Sequence, residues 1–180
     1  MKRDLIKEIE IPEGIEAEIK GNSIKITGPQ GEVKREVDAD NLVFEKKDNK
    51  IIISCKKATK KEKKMINTIT AHIKNMLKGA KEKFEYELKI VFSHFPITAE
   101  VQGKKVIIKN FLGEKIPREA DIPEGVEVDV KKDIITIKSS NIESVGRAAA
   151  SIERATKIRL RDRRIFQDGI YITNKAGKKI

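Results

Sequence analysis

Residues 15–32 read IEAEIKGNSIKITGPQGE, and residues 97–114 read ITAEVQGKKVIIKNFLGE. Laid over one another at an offset of 82, Ile15, Ala17, Glu18, Ile19, Gly21, Ile24, Ile26, Gly31 and Glu32 fall on Ile97, Ala99, Glu100, Val101, Gly103, Val106, Ile108, Gly113 and Glu114. After a small shift, Ile51 and Ile53 fall on Ile135 and Ile137. Apolar positions, turn glycines and charges match together, which chance does not produce. Two copies are too few for a solenoid, which needs at least three stacked units. The repeat therefore predicts tandem domains.

Each copy has the same local grammar. IEAEIK and ITAEV alternate apolar and polar residues with period two, the pattern of half-buried strands. Gly21-Asn22 and Gly103-Lys104 mark turns into return strands that begin at Ile24 and Val106. Gly28-Pro29-Gln30-Gly31 and Asn110-Phe111-Leu112-Gly113 turn the chain again. A last apolar run, at 51–54 or 134–138, closes an antiparallel sheet, and a helix follows. Thr59-Lys60-Lys61-Glu62 and Ser140-Asn141-Ile142-Glu143 both have the capping-box pattern that opens a helix. Behind them run apolar stripes at helical spacing: Met65, Ile66, Ile69, Ile73, Met76 and Leu77 in one, Ile142, Val145, Ala149 and Ile152 in the other. The predicted fold is α+β, a tandem duplication of a small antiparallel sheet domain with one helix on one face. The predicted boundaries are 1–82, 83–156 and a basic extension, 157–180.

Composition narrows the function. No stretch of the 180 residues approaches the ~18 apolar residues of a spanning helix, and MKRDLIKEIEIPEG at the N-terminus lacks the apolar region of a secretory signal. A single cysteine, Cys55, builds no disulfide framework and reads as a small buried hydrophobe in a cytoplasmic chain. Twenty-nine isoleucines in tight clusters argue against disorder.

Thirty-nine Lys and Arg stand against 28 Asp and Glu, a net charge of +11 that favours an anionic partner. The excess is local: residues 1–55 carry −2, 56–83 carry +8, 84–146 carry −2 and 147–180 carry +7. The first basic block is the run Lys56, Lys57, Lys60, Lys61, Lys63 and Lys64 around a helix N-terminus, where the dipole disfavours cations. It reads as a solvated face or as a phosphate contact. The second block changes residue type: Lys157, Arg159, Arg161, Arg163 and Arg164 arrive within eight residues of a chain otherwise rich in lysine. Arg offers a planar fork suited to phosphate and base edges, where Lys offers a hydrated point charge. Ile158 and Leu160 alternate with the arginines and are expected to anchor one side of the segment. Lys175 follows in the tail. A salt-bridged surface of a heat-stable protein is the competing reading, weakened because only Asp162 lies inside the run. The site residues on this reading are Lys104, Lys109, Lys157, Arg159, Arg161, Arg163, Arg164 and Lys175, with Lys104 and Lys109 proposed from charge and position.

Enzyme chemistry finds little support. Ser93 and His94 are adjacent but lack an identifiable third group, and two separated histidines with one cysteine give no metal-ligand spacing. No Walker loop and no dinucleotide fingerprint occurs, so no cofactor is expected. No aromatic RNA-recognition motif, GxxG module or zinc finger is present, and eight aromatics argue against a dominant stacking platform. What remains is recognition of folded RNA by shape, phosphate and Arg contacts.

Several strings then converge. Ser93-His94-Phe95-Pro96-Ile97, Asn110-Phe111-Leu112-Gly113-Glu114-Lys115, Ile142-Glu143-Ser144-Val145 and Phe166-Gln167-Asp168-Gly169-Ile170-Tyr171 resemble the archaeal and eukaryotic branch of the large ribosomal subunit protein six family, and Ile26-Thr27-Gly28-Pro29-Gln30-Gly31-Glu32 is similar to that family's first-domain turn. The resemblance implies two similar α+β domains and binding to large-subunit rRNA of the 23S type, near the stalk base and translation-factor site, beside neighbouring large-subunit proteins. It also implies that the second domain and C-terminal extension make most rRNA contact, which here points to His94 and the run from Arg159 to Arg164. A free-standing RNA chaperone and an RNA-modifying enzyme built on His94 are the alternatives.

Overall fold

The computed structural model describes residues 3–37, 42–47, 49–162 and 164–180. The chain divides into two compact units, Met1–Lys83 and Phe84–Ile180. Both are α+β, and their strands pair antiparallel throughout.

The first unit runs β1 (Arg3–Glu10), β2 (Glu16–Lys20), β3 (Ser23–Gly28), β4 (Gly31–Glu36), β5 (Val43–Lys47), β6 (Lys50–Ala58) and α1 (Lys60–Lys81). Its strands form two three-stranded sheets, β2-β3-β4 and β1-β6-β5, rather than the one sheet per copy that the sequence pattern predicts. The second sheet exists because β1, a charge-dense stretch outside the repeat, pairs along β6. Ile24, Ile26, Ile51 and Ile53 from the two sheets meet Ile66, Ile69 and Ile73 of α1 in one core. Cys55 is buried among them. Thr59 and Glu62 form the expected capping box at the start of α1.

The GPQG turn is fitted to the end of that helix. Gln30 donates its N–H to the Ala80 carbonyl (3.2 Å), and a Cβ on Gly28 would stand 2.6 Å from the same oxygen. Only glycine lets the turn approach this closely.

The second unit runs β7 (Phe84–Val91), β8 (Thr98–Gln102), β9 (Lys105–Lys109), a 3-10 turn (Phe111–Gly113), β10 (Arg118–Asp121), β11 (Glu127–Lys131), β12 (Ile134–Ser139), α2 (Ile142–Ala155), β13 (Gly169–Lys175) and β14 (Lys178–Lys179). Three strands form β10-β9-β8 and five form β11-β12-β7-β13-β14. The C-terminal segment is thus woven into the unit: β13 lies along β7 from Gly169 opposite Val91 to Lys175 opposite Tyr86. Ile158 and Ile170 from this segment join Leu88, Ile135, Ile137 and Ile152 in the core.

The start of α2 corrects the sequence reading. Its N-cap is Asn141, whose side chain accepts the Glu143 N–H (3.0 Å), and the helix therefore begins one residue later than a Ser140 capping box requires. Ser139 fixes this register by donating to the Gly125 carbonyl (2.6 Å) and accepting the Asn141 N–H (3.3 Å).

Candidate nucleic-acid interface

Four parts of the second unit meet at the basic segment: the loop 92–97 between β7 and β8, the Phe111–Gly113 turn, the C-terminal end of α2, and residues 156–168 leading into β13. Asp168 is their hub. Its side chain, 1% exposed, accepts from the Ser93 N–H (3.0 Å), the Ser93 hydroxyl (2.8 Å) and the His94 N–H (3.2 Å), and lies 3.1 Å from His94 Nδ1. Burial pushes this carboxyl's pKa up, but the hydrogen bonds from Ser93 and His94 outweigh burial and hold it at about 2. The group is therefore ionised at neutral pH and ties the loop to the start of β13.

The neighbouring residues of the FQDGIY string complete the brace. Phe166 stacks on the His94 ring, with centroids 4.9 Å apart and planes inclined by 21°. The Arg161 guanidinium lies 4.7 Å from the Phe166 centroid, within cation–π range. Gly169 leaves room for the Tyr171 ring, which a Cβ there would meet at 3.2 Å. The Tyr171 hydroxyl in turn donates to the Gln167 carbonyl (3.1 Å). Behind them, buried Thr156 accepts the Ile170 N–H (2.9 Å) and donates to the Glu153 carbonyl (3.2 Å).

Arg118 supports the other side, and sequence reasoning missed it. Its guanidinium sits 4.2 Å from the Phe111 ring centroid, forms a two-pronged pair with Glu114 (2.7 and 2.6 Å) and donates to the Ala155 carbonyl (2.8 Å). Phe111 and Glu114 of the NFLGEK string are thereby joined to the end of α2. The signal was available: Arg118 is the one arginine among 63 residues from 84 to 146, where geometry demands a fork that lysine lacks.

Between these braces the cations face outward. Lys157, Arg159, Arg161 and Arg164 are exposed, and Lys157, Arg159 and Arg164 form no ion pair with a described residue. Arg163 lies outside the described residues. Asp162 shapes the local turn: its carboxylate accepts the Arg164 N–H (2.9 Å) and its carbonyl the Phe166 N–H (2.9 Å). The expected alternation stops halfway. Ile158 is buried, but Leu160 is fully exposed, because its left-handed backbone (φ 57°) interrupts the extended chain that period two requires.

The remaining sequence candidates lie elsewhere. Lys104 and Lys109 are each ion-paired at 2.7 Å, to Glu124 and Glu100. Lys175 closes β13, ~20 Å along the strand from Gly169 at about 3.3 Å per residue. In the first unit, Lys56, Lys60, Lys61, Lys63 and Lys64 are exposed, and the Lys57 side chain lies outside what is described.

Ser93, His94 and Asp168 form a cluster that superficially matches a hydrolase triad. The wiring differs. The Ser93 hydroxyl donates to Asp168 and lies 3.0 Å from His94 Nδ1, the same nitrogen that faces Asp168. A nucleophile needs its base on the other ring nitrogen, so this cluster fastens a loop. Among the described residues, no group of three His, Cys, Asp or Glu side chains could hold a metal ion.

A profile of the ribosomal protein L6 family matches residues 11–83 and 95–169, one copy on each unit. The chain belongs to the ribosomal protein L6 family. Among its relatives, a large ribosomal subunit protein uL6 of Methanothrix thermoacetophila is 43% identical over 97% of this chain and 99% of its own. That of Methanobrevibacter smithii is 46% identical over 94% of this chain and 95% of its own, and that of Ignicoccus hospitalis 43% over 91% of each. The L6 family match takes in the whole arginine run and ends at Gly169, the first residue of β13.

Proposed function

We propose that this chain is a structural, non-catalytic constituent of the large ribosomal subunit, in the cytoplasm, and that it binds large-subunit rRNA through its second unit, near the stalk base and translation-factor site. One observation carries the proposal: Lys157, Arg159 and Arg164, unneutralised by described residues, stand on a segment braced at both ends by Asp168, Thr156 and Tyr171. A surface evolved only for solubility has no need of such bracing. Pre-positioned cations lose less side-chain and backbone entropy on meeting phosphate. The membership of the L6 family and the names of the curated relatives favour the ribosome over other RNA partners. The wiring of Ser93 and His94 speaks against an RNA-modifying enzyme. Sedimentation of cell extracts at physiological salt separates the ribosomal reading from a free-standing chaperone. The expected result is co-migration with large subunits, released only as salt is raised. Protein remaining at the top of the gradient would refute the proposal.

A further inference from the structure

The second unit contains a cleft that the phosphate-binding reading leaves unused. About 350 Å³ in volume, it lies between the end of α2 and the start of β13. Ligand sites run from about 300 to 1,000 Å³, so this one has room for a single nucleotide and no more. Ile158 and Ile170 supply buried apolar side chains. Phe166 and Tyr171 supply aromatic surface, and Tyr171 is 42% exposed although its ring already lies against Gly169.

The polar lining is suited to a base. Glu153 lines the cleft and forms no ion pair with a described residue. Gln167 gives its amide N–H to the Arg164 carbonyl (3.3 Å), which leaves the amide oxygen to accept. Two acceptors beside an aromatic face complement the N–H donors of a purine edge, the ring N–H and amino group of guanine or the two amino protons of adenine. At the rim, Lys157 and Arg154 supply the charge that a phosphate needs.

From this we infer that the cleft receives one unstacked purine of the bound RNA, its face on Tyr171 and its N–H donors toward Glu153 and Gln167, with its phosphate at Lys157. Purines are favoured over pyrimidines because their larger π surface stacks more strongly. Folded RNA offers such bases in loops and bulges, where proteins read them by stacking and edge hydrogen bonds. The inference rests on the RNA-binding reading above and deepens it, from phosphate attraction to recognition of one splayed-out nucleotide.

Two experiments test it. In the first, the amide resonances of the full chain are followed by NMR as GMP, AMP, UMP or ribose 5-phosphate is added. GMP and AMP are expected to shift the amides of Thr156, Gly169, Ile170 and Tyr171 at millimolar concentration, UMP less so, and ribose 5-phosphate only those of the basic segment. If ribose 5-phosphate reproduces the GMP pattern, or if no nucleotide moves the cleft amides, the inference is overturned. In the second, Tyr171→Ala and Tyr171→Phe are compared for binding to large-subunit rRNA across a salt series. Tyr171→Ala is expected to weaken binding about tenfold at unchanged salt slope, and Tyr171→Phe, which keeps the ring but loses the hydroxyl bond to Gln167, to recover most of that loss. Equal affinity for the alanine variant would remove the cleft and leave the arginine assignment standing. A wild-type chain that binds no rRNA would remove the functional proposal, while the nucleotide titration would still decide the cleft.

Discussion

The two units share one plan and diverge at one edge. In the first, the sheet β1-β6-β5 ends at β1, whose Ile6 is exposed among the charges of RDLIKEIE, the usual protection of an open edge. In the second, β7 occupies the place of β1, and β13 and β14 cover it. The same difference separates the two basic blocks. The lysines of the first unit sit on a solvated helix end, whereas the arginines of the second lie on a segment whose two ends are buried. Duplication supplied the core twice, and one added segment decided which copy presents ordered cations.

Cutting the added segment tests that contrast most severely. Removal of residues 157–180 takes Ile158 and Ile170 out of the second core. At roughly 2–5 kcal/mol for each large buried side chain, the second unit is expected to lose its cooperative unfolding, with the first unit's amide-exchange protection intact. A truncated chain with both units protected would show that the segment is an accessory. A smaller effect separates equivalent turn positions. Gly28 and Asn110 are related by the repeat, but Gly28 is pressed against Ala80, while Asn110 (φ 59°) donates its side-chain N–H to the Pro96 carbonyl (3.0 Å). Gly28→Ala is expected to cost about 2 kcal/mol by overpacking, and Asn110→Ala about 1 kcal/mol for the lost hydrogen bond, both read from urea midpoints.

Asp168 gives the second unit a pH dependence of its own. Its folded pKa of about 2 lies below the usual 3.8, so its contribution is present above the higher value and is lost as pH falls through the lower one. That contribution is on the order of 2 kcal/mol. Asp168→Asn is expected to flatten the acid limb of the second unit's stability between these pH values, measured by urea unfolding with unit-resolved amide signals. An unchanged limb would mean that other carboxylates govern it. The least difference lies at the helix caps: Thr59→Ala and Asn141→Ala are each expected to cost about 1 kcal/mol, and Ser140→Ala no more than a few tenths. If Ser140→Ala were the costly change in thermal melts, the register of α2 would be misassigned.

The repeat, both helices and the fold class were legible in the sequence because glycines, alternation and stripes recurred in two copies. Strands β1 and β7 precede each matched stretch and escaped that comparison, although Phe84, Tyr86, Leu88 and Ile90 alternate as buried positions along β7. The switch from Lys to Arg pointed to the segment that the structure braces. Its supports stayed hidden, since Asp168 stood out only as one residue of the FQDGIY string. Its partners Ser93 and His94 stand 75 and 74 residues away in the chain, and only the pairing of β13 with β7 brings them together. The cap at Asn141 was lost to Ser140, which fits the capping pattern equally well when neighbouring bonds are unknown.

The central claim is that the arginines, and not simply positive charge, carry RNA binding. The direct measurement compares large-subunit rRNA affinity across a salt series for two variants of equal charge change, Arg159, Arg161, Arg163 and Arg164 all to Ala, and Lys60, Lys61, Lys63 and Lys64 all to Ala. The arginine variant is expected to stay folded, lose about a hundredfold or more in affinity, and show a log–log salt slope shallower by about 3. The lysine variant is expected to keep a slope within about 1 of wild type. Equal losses in both variants, or the larger loss in the lysine variant, would contradict the account.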